Sequence, residues 1–144
     1  MAVDADLWRI AVFAAFEPAA LQELVVGAVP RALRAGETLF RRGEEAEGGF
    51  LLSKGAILLL TQDAGGKHEK LLRPLALLGE VAMIAPTTRP VTAIAREPST
   101  VLAISRALFC ETLEAHPVTA GRVRSLFKDR LAQFSAGLSF SASD

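Results

Sequence analysis

The sequence predicts an α+β fold: a β-roll or jelly-roll barrel flanked by N-terminal helices and a long C-terminal helix. Three observations carry that prediction. Apolar residues recur at helical spacing from Asp6 to about Val29. From Arg31 to Ser105 the pattern changes to short apolar runs punctuated by glycine and proline. Helical spacing then returns and holds to about Leu138.

In the first zone Leu7, Ile10, Val12, Phe13 and Phe16 precede Leu21, Leu24 and Val25, and Trp8 joins Phe13 and Phe16 on the core face of the first helix. Pro18 suits the first turn of a second helix, where its missing N–H costs nothing. The middle zone offers strands at Thr38–Phe40, Phe50–Leu52, Ala56–Thr61, Lys70–Arg73, Val91–Arg96 and Val101–Ile104, with Asp63–Lys67 as a hairpin connection. Ser105 is placed to cap a helix running to about Ala115, and Pro117 to start the last one. Along that helix Val123, Phe127, Leu131, Phe134 and Leu138 form a stripe. Two readings stay open: the stripe pairs with a second copy to make a homodimer, or it docks on its own domain. The predicted organisation is one domain over residues 1–144, with helices over 6–30, the β-roll over 31–104 and helices over 105–138.

Composition excludes several classes. The chain has 144 residues, 51% of them hydrophobic and 22% charged, which is enough apolar material for a real core and rules out a disordered reading. Sixteen basic residues balance sixteen acidic ones, without the basic excess of a protein that grips phosphodiester backbones, so no nucleic-acid partner is expected. Cys110 is the single cysteine; it allows neither an internal disulfide nor a four-cysteine zinc site, and is expected as a small buried hydrophobe. Asp4 and Asp6 stand where a secretory leader would be basic, and no stretch has the length and apolarity to span a bilayer. A cytoplasmic protein without a membrane partner is expected. His68 and His116 stand alone, and neither a nucleophile elbow nor a phosphate loop occurs. No metal, no cofactor and no enzymatic activity are therefore predicted.

The informative stretch is Leu77 to Arg96. Gly79 lets backbone approach a ligand closely, and the N–H groups after it, at a helix start, suit an anion. Arg89 is placed to return to the same spot as a bidentate phosphate partner, and Glu80 to accept hydrogen bonds from a sugar hydroxyl. On spacing alone an ordinary Glu80–Arg89 ion pair across a loop competes with this cradle.

The motifs Leu39–Glu44, Leu51–Gly55 and Gly79–Ala82 followed by Arg89, with glycines at 36, 43, 55 and 79, give the sequence a family likeness. It resembles the cyclic-nucleotide-binding domain of the bacterial catabolite activators, kinase A regulatory subunits and nucleotide-gated channels, from about Leu7 to Phe134. The resemblance implies a phosphate-binding cassette over Gly79–Thr92: Glu80 on the ribose, the backbone around Gly79, Val81 and Ala82 along the sugar-phosphate, and Arg89, Pro90, Val91 and Thr92 around the cyclic phosphate. The last helix, from Val118 onward, is implied as the movable element that closes on the base. Two positions depart from the family pattern. Pro74-Leu75 stands where Pro-Gly is common, and Pro90 stands where an alanine, serine or threonine gives its N–H to phosphate. The resemblance thus implies a regulatory sensor for a cyclic nucleotide, cAMP ahead of cGMP, bound weakly, with an unidentified effector protein. The alternative is a ligand-free dimerisation or interaction domain that keeps the fold and has lost the site. The sequence ends before the helix-turn-helix domain of DNA-binding members, so a stand-alone domain is expected.

Overall fold

The fold is known from a computed structural model describing residues 10–63 and 65–136. Helix α1 spans Ala11–Ala14 and α2 spans Pro18–Gly27. Ten strands follow: β1 (Val29–Leu33), β2 (Thr38–Phe40), β3 (Glu45–Ala46), β4 (Gly48–Lys54), β5 (Ile57–Asp63), β6 (Gly66–Leu72), β7 (Ala76–Leu78), β8 (Thr87–Thr88), β9 (Thr92–Ala95) and β10 (Ser99–Ser105). A 3-10 turn over Glu80–Met83 lies between β7 and β8, and α3 (Arg106–Ala115) and α4 (Pro117–Ala136) are the last elements among the described residues. The α+β jelly roll expected from the sequence is the fold observed.

Two antiparallel four-stranded sheets form the roll, in the orders β1-β10-β4-β7 and β2-β9-β5-β6, with β3-β8 as a small third pair. Period-two alternation makes the first sheet a partition between two cores. On β4, Leu52 faces a cluster shared with Leu39, Phe40, Ile57 and Ala93 of the second sheet, while its neighbour Leu51 faces the helices. On β10, Val101 and Ile104 divide in the same way. The helical core gathers Phe13, Phe16 and Leu24 with Phe109, Val123 and Phe127. Phe13 meets Phe16 edge-on at 5.9 Å, and Phe16 lies 5.8 Å from Phe109. Met83 of the 3-10 turn, fully buried, belongs to this helical core too.

Local signals explain the helix ends. Pro18 occupies the first turn of α2, and the Ser105 hydroxyl accepts the Leu108 N–H at 3.0 Å to cap α3. The buried Thr119 hydroxyl ties α4 to the start of α2: it accepts the Glu17 N–H at 2.9 Å and donates to Glu17 Oε1 at 3.0 Å.

Several expectations need correction. The helical zone ends at Gly27, not Val29, because Val29 opens β1, which pairs with β10 from Val29↔Ala103 to Leu33↔Ser99. β1 lies at a sheet edge, where Pro30 costs no interior ladder bond, and four of its five residues are exposed, so it has no apolar alternation to read. β3, β7 and β8, two or three residues each, also went unpredicted. Cys110 is exposed, not buried. Leu7 and Trp8 lie outside the described residues.

Phe109 is fully buried where α3 meets α1 and α2. Phe109→Ala is expected to lower unfolding free energy by about 3–5 kcal/mol. Urea denaturation followed by circular dichroism checks this.

Candidate ligand-binding cassette

The cassette is built on glycines. Gly79 sits at φ +73°, in the left-handed region, and caps the 3-10 turn. A Cβ there would lie 2.5 Å from Arg89 Nη1, so the guanidinium is seated directly over the glycine. Across the cleft a Cβ on Gly49 would meet the Leu78 and Gly79 carbonyl oxygens at 2.9 and 3.1 Å, and one on Gly48 would collide with the Ile104 carbonyl. Bare backbone on both sides is what lets β4, the cassette and β10 approach this closely.

Arg89 is brought into place by its main chain. Its N–H donates to the Glu44 carbonyl and its own carbonyl accepts from the Gly43 N–H, both at 2.8 Å. The β3–β8 pairing, Glu45↔Thr88 and Ala46↔Thr87, extends this ladder. The turn that presents Gly43 and Glu44 is held by the Glu44 carboxylate, which accepts the Arg41 N–H at 3.0 Å.

The guanidinium then enters the protein. Arg89 is only 6% exposed, and its Nη1 has no hydrogen-bond partner among the described residues. Its neighbours are aromatic: the guanidinium carbon lies 4.4 Å from the Phe40 ring centroid and 5.4 Å from that of Phe50. These rings stack at 6.0 Å across the two sheets, one on β2 and one on β4. Burial pushes the Arg89 pKa below its ordinary value, and the charge of Glu44 opposes that shift. Arg89 also lines a cleft of about 230 Å³ with Glu47, Gly48, Gly49, Phe50 and Ile104. A buried cation with an unsatisfied donor, beside backbone that carries no side chains, suits an anion.

The remaining expected residues fall as follows. Glu80 opens the 3-10 turn and is half-buried; Val81 is exposed. The Ala82 N–H donates to the Gly79 carbonyl at 3.1 Å, which commits it to the turn. Pro90 is exposed immediately before Val91 and β9, Val91 packs against the core between the sheets, and the Thr92 hydroxyl accepts the Arg42 N–H at 3.0 Å. The structure thus brings Gly79 and Arg89 together and spends the Ala82 N–H and the Thr92 hydroxyl on the fold. Phe40 and Phe50 were missed by sequence reasoning, since they reach the site from other elements. In the last helix Val123 and Phe127, 2% and 7% exposed, are buried in the chain's own core, which at these two positions matches the self-docking reading of the stripe. Only the helical backbone is described at Leu131 and Phe134, and Leu138 lies outside the described residues.

Comparison with known proteins agrees with this fold. The cyclic nucleotide-binding domain family matches residues 30–116. The chain belongs to that family. Similar solved structures include a cyclic nucleotide-binding-like protein from Brucella abortus, 36% identical, TM-score 0.71, covering 79% of this chain and 99% of that one. The N-terminal domain of a transcriptional regulator from Streptomyces coelicolor shares the fold at 24% identity and TM-score 0.80, over 92% of this chain and 96% of that one. So does the regulatory domain of Toxoplasma gondii PKA, crystallised with cAMP, at 17% identity and TM-score 0.72, over 92% of this chain and 49% of that one. Among curated sequences, acetyltransferase Pat of Mycolicibacterium smegmatis is 28% identical over 131 residues. The match covers 90% of this cyclic nucleotide-binding domain protein but only 39% of Pat.

Gly79→Ala imposes a left-handed conformation on an alanine and drives a methyl group into Arg89. It is expected to cost about 1–2 kcal/mol from the backbone alone. Urea unfolding, with near-ultraviolet dichroism reporting the phenyl rings, measures the loss.

Proposed function

We propose that this domain is a non-catalytic regulatory sensor that binds a cyclic nucleotide, cAMP ahead of cGMP, with Arg89 taking the cyclic phosphate. The observation that carries the reading is the buried Arg89 guanidinium, which has an unsatisfied Nη1 over the bare backbone of Gly79. A phosphate supplies the charge and acceptors that this cation lacks. cAMP is favoured because it is the ligand of the Toxoplasma regulatory domain of the same fold. Glu80 is assigned to the ribose because it opens the turn that begins at Gly79. The effector is a separate protein or domain that reads the state of the helical layer. Homodimerisation, if α4 provides it, rests on positions beyond Phe127, with Leu131 and Phe134 at helical spacing.

Titration calorimetry with cAMP and cGMP tests the reading directly. Arg89→Ala is expected to abolish detectable binding in a folded protein, since truncating one member of a buried charge pair costs about 2–5 kcal/mol. Unchanged affinity would place the phosphate elsewhere.

Pro90 makes a finer prediction. It offers no N–H beside the phosphate, and a hydrogen bond to a charged group is worth about 1.5–3 kcal/mol, or roughly 10- to 150-fold. Pro90→Ala is therefore expected to tighten a weak wild-type affinity. No heat with either nucleotide, for wild type and Pro90→Ala alike, would favour the ligand-free interaction domain. Light scattering of Leu131→Glu checks the dimer: a wild-type dimer that this charge leaves intact does not use α4.

A further inference from the structure

Arg106 opens α3 against the electrostatics of its own helix, since a cation in the first turn faces the positive end of the macrodipole. Its side chain turns instead to the cassette. Nη1 donates to the carbonyl oxygens of Ala82 at 2.8 Å, Ala46 at 3.1 Å and Ala85 at 3.3 Å. Its backbone N–H donates to the Glu47 carbonyl at 2.8 Å. The carbonyls of Ala82 and Ala85 lie at the end of the 3-10 turn, where a short helix leaves acceptors unsatisfied. One guanidinium nitrogen from another element supplies the missing cap and joins β3, the cassette and α3.

We propose that Arg106 is a positioning residue for the ligand site, holding the 3-10 turn from α3 so that cassette and helix move as one unit. This deepens the reading of the cassette as the ligand site and rests on it. A ligand that shifts Gly79–Met83 pulls on α3 through Arg106, while Met83 presses on the same helical core from below. The contact is directional because carbonyl acceptors accept along their lone pairs. An aliphatic side chain of similar length fills the space and transmits nothing.

Amide hydrogen exchange on the unliganded protein, with cAMP calorimetry alongside, tests the clamp. The reporters are Ala82, Ile84 and Ala85, whose N–H groups bond the carbonyls of Gly79 and Val81. In Arg106→Met these three amides are expected to exchange at least about tenfold faster, the effect of losing a hydrogen bond from a charged donor. The β5–β6 amides keep wild-type rates, and cAMP affinity falls by about the same factor. If Arg106→Met does not fold, Arg106→Gln decides on the same three amides: faster exchange supports the clamp, and wild-type rates overturn it. Unchanged reporters in a folded Arg106→Met overturn the proposal whether or not wild type binds cAMP. So does acceleration spread evenly into β5–β6, which would show that Arg106 merely holds the domain together. Wild type that binds no nucleotide sinks the ligand reading alone, because the exchange result still judges the clamp.

Discussion

Holding a guanidinium inside a protein without a hydrogen-bonded anion is costly, and much of the cassette is arranged around that constraint. Desolvation of Arg89 is opposed by the face of Phe40 at 4.4 Å, by Phe50 at 5.4 Å and by the charge of Glu44. Cation–π contacts of this kind reach about 2 kcal/mol once desolvated, which softens the cost without satisfying Nη1. The side chain can reach this position only because Gly79 has no Cβ and because residues 43 and 44 grip the Arg89 backbone on both sides. Ring stacking across the two sheets, the αL glycine and the β3–β8 ladder therefore act on one side chain. Under the proposed reading, an anion arriving there would meet the unsatisfied Nη1 donor and offset the cost of the desolvated charge.

Sheet β1-β10-β4-β7 joins the cassette to the helical layer. Its residues alternate between the inter-sheet core and the helical core, as Leu52 and Leu51 do on adjacent positions. The 3-10 turn sits at the rim of this partition, with Arg89 above Gly79 on one side and Met83 in the helical core on the other. Close-packed interiors transmit small displacements because they lack the free volume to absorb them. α4 is bound to the same core through Val123 and Phe127 and to α2 through the Thr119–Glu17 hydrogen bonds. A further tie, His116 Nε2 to Glu23 Oε1 at 3.0 Å, fixes the α3–α4 junction. The helical layer is thus tied together by packing and by hydrogen bonds between its helices.

What the sequence showed, and what it hid, follows from the range of each interaction. Strands with interior positions announced themselves through apolar runs, and Pro18, Ser105 and Pro117 marked helix starts because capping is local. Gly79 and Arg89 were legible as a pair because a glycine at a helix start and an arginine a short loop away form a pattern within one segment. Phe40 and Phe50 were not, since a stack between β2 and β4 exists only after two sheets close on each other. Arg106 was hidden for another reason: its partners are backbone carbonyls, which every residue has and no sequence pattern reveals. The stripe on α4 was read correctly as apolar, but a helical period cannot say whether the covering surface belongs to the same chain. At Val123 and Phe127 it does.

The same accounting explains how the fold tolerates Pro90. Nothing in the described structure is asked of an N–H at that position: the strand is registered by Arg89 through its own N–H and carbonyl, and by Thr92 through its hydroxyl. Proline's fixed φ instead stiffens the entry into β9 and lowers the entropy that the loop would otherwise lose on folding. Proline here is thus neutral or favourable for the scaffold, and the donor it lacks is one that the fold does not use. Stability and ligand affinity are separable here, because they draw on different atoms of the same loop. Under the proposed reading, a change at Pro90 would alter ligand affinity without loosening the Arg89 seat or the links from the cassette to the helices.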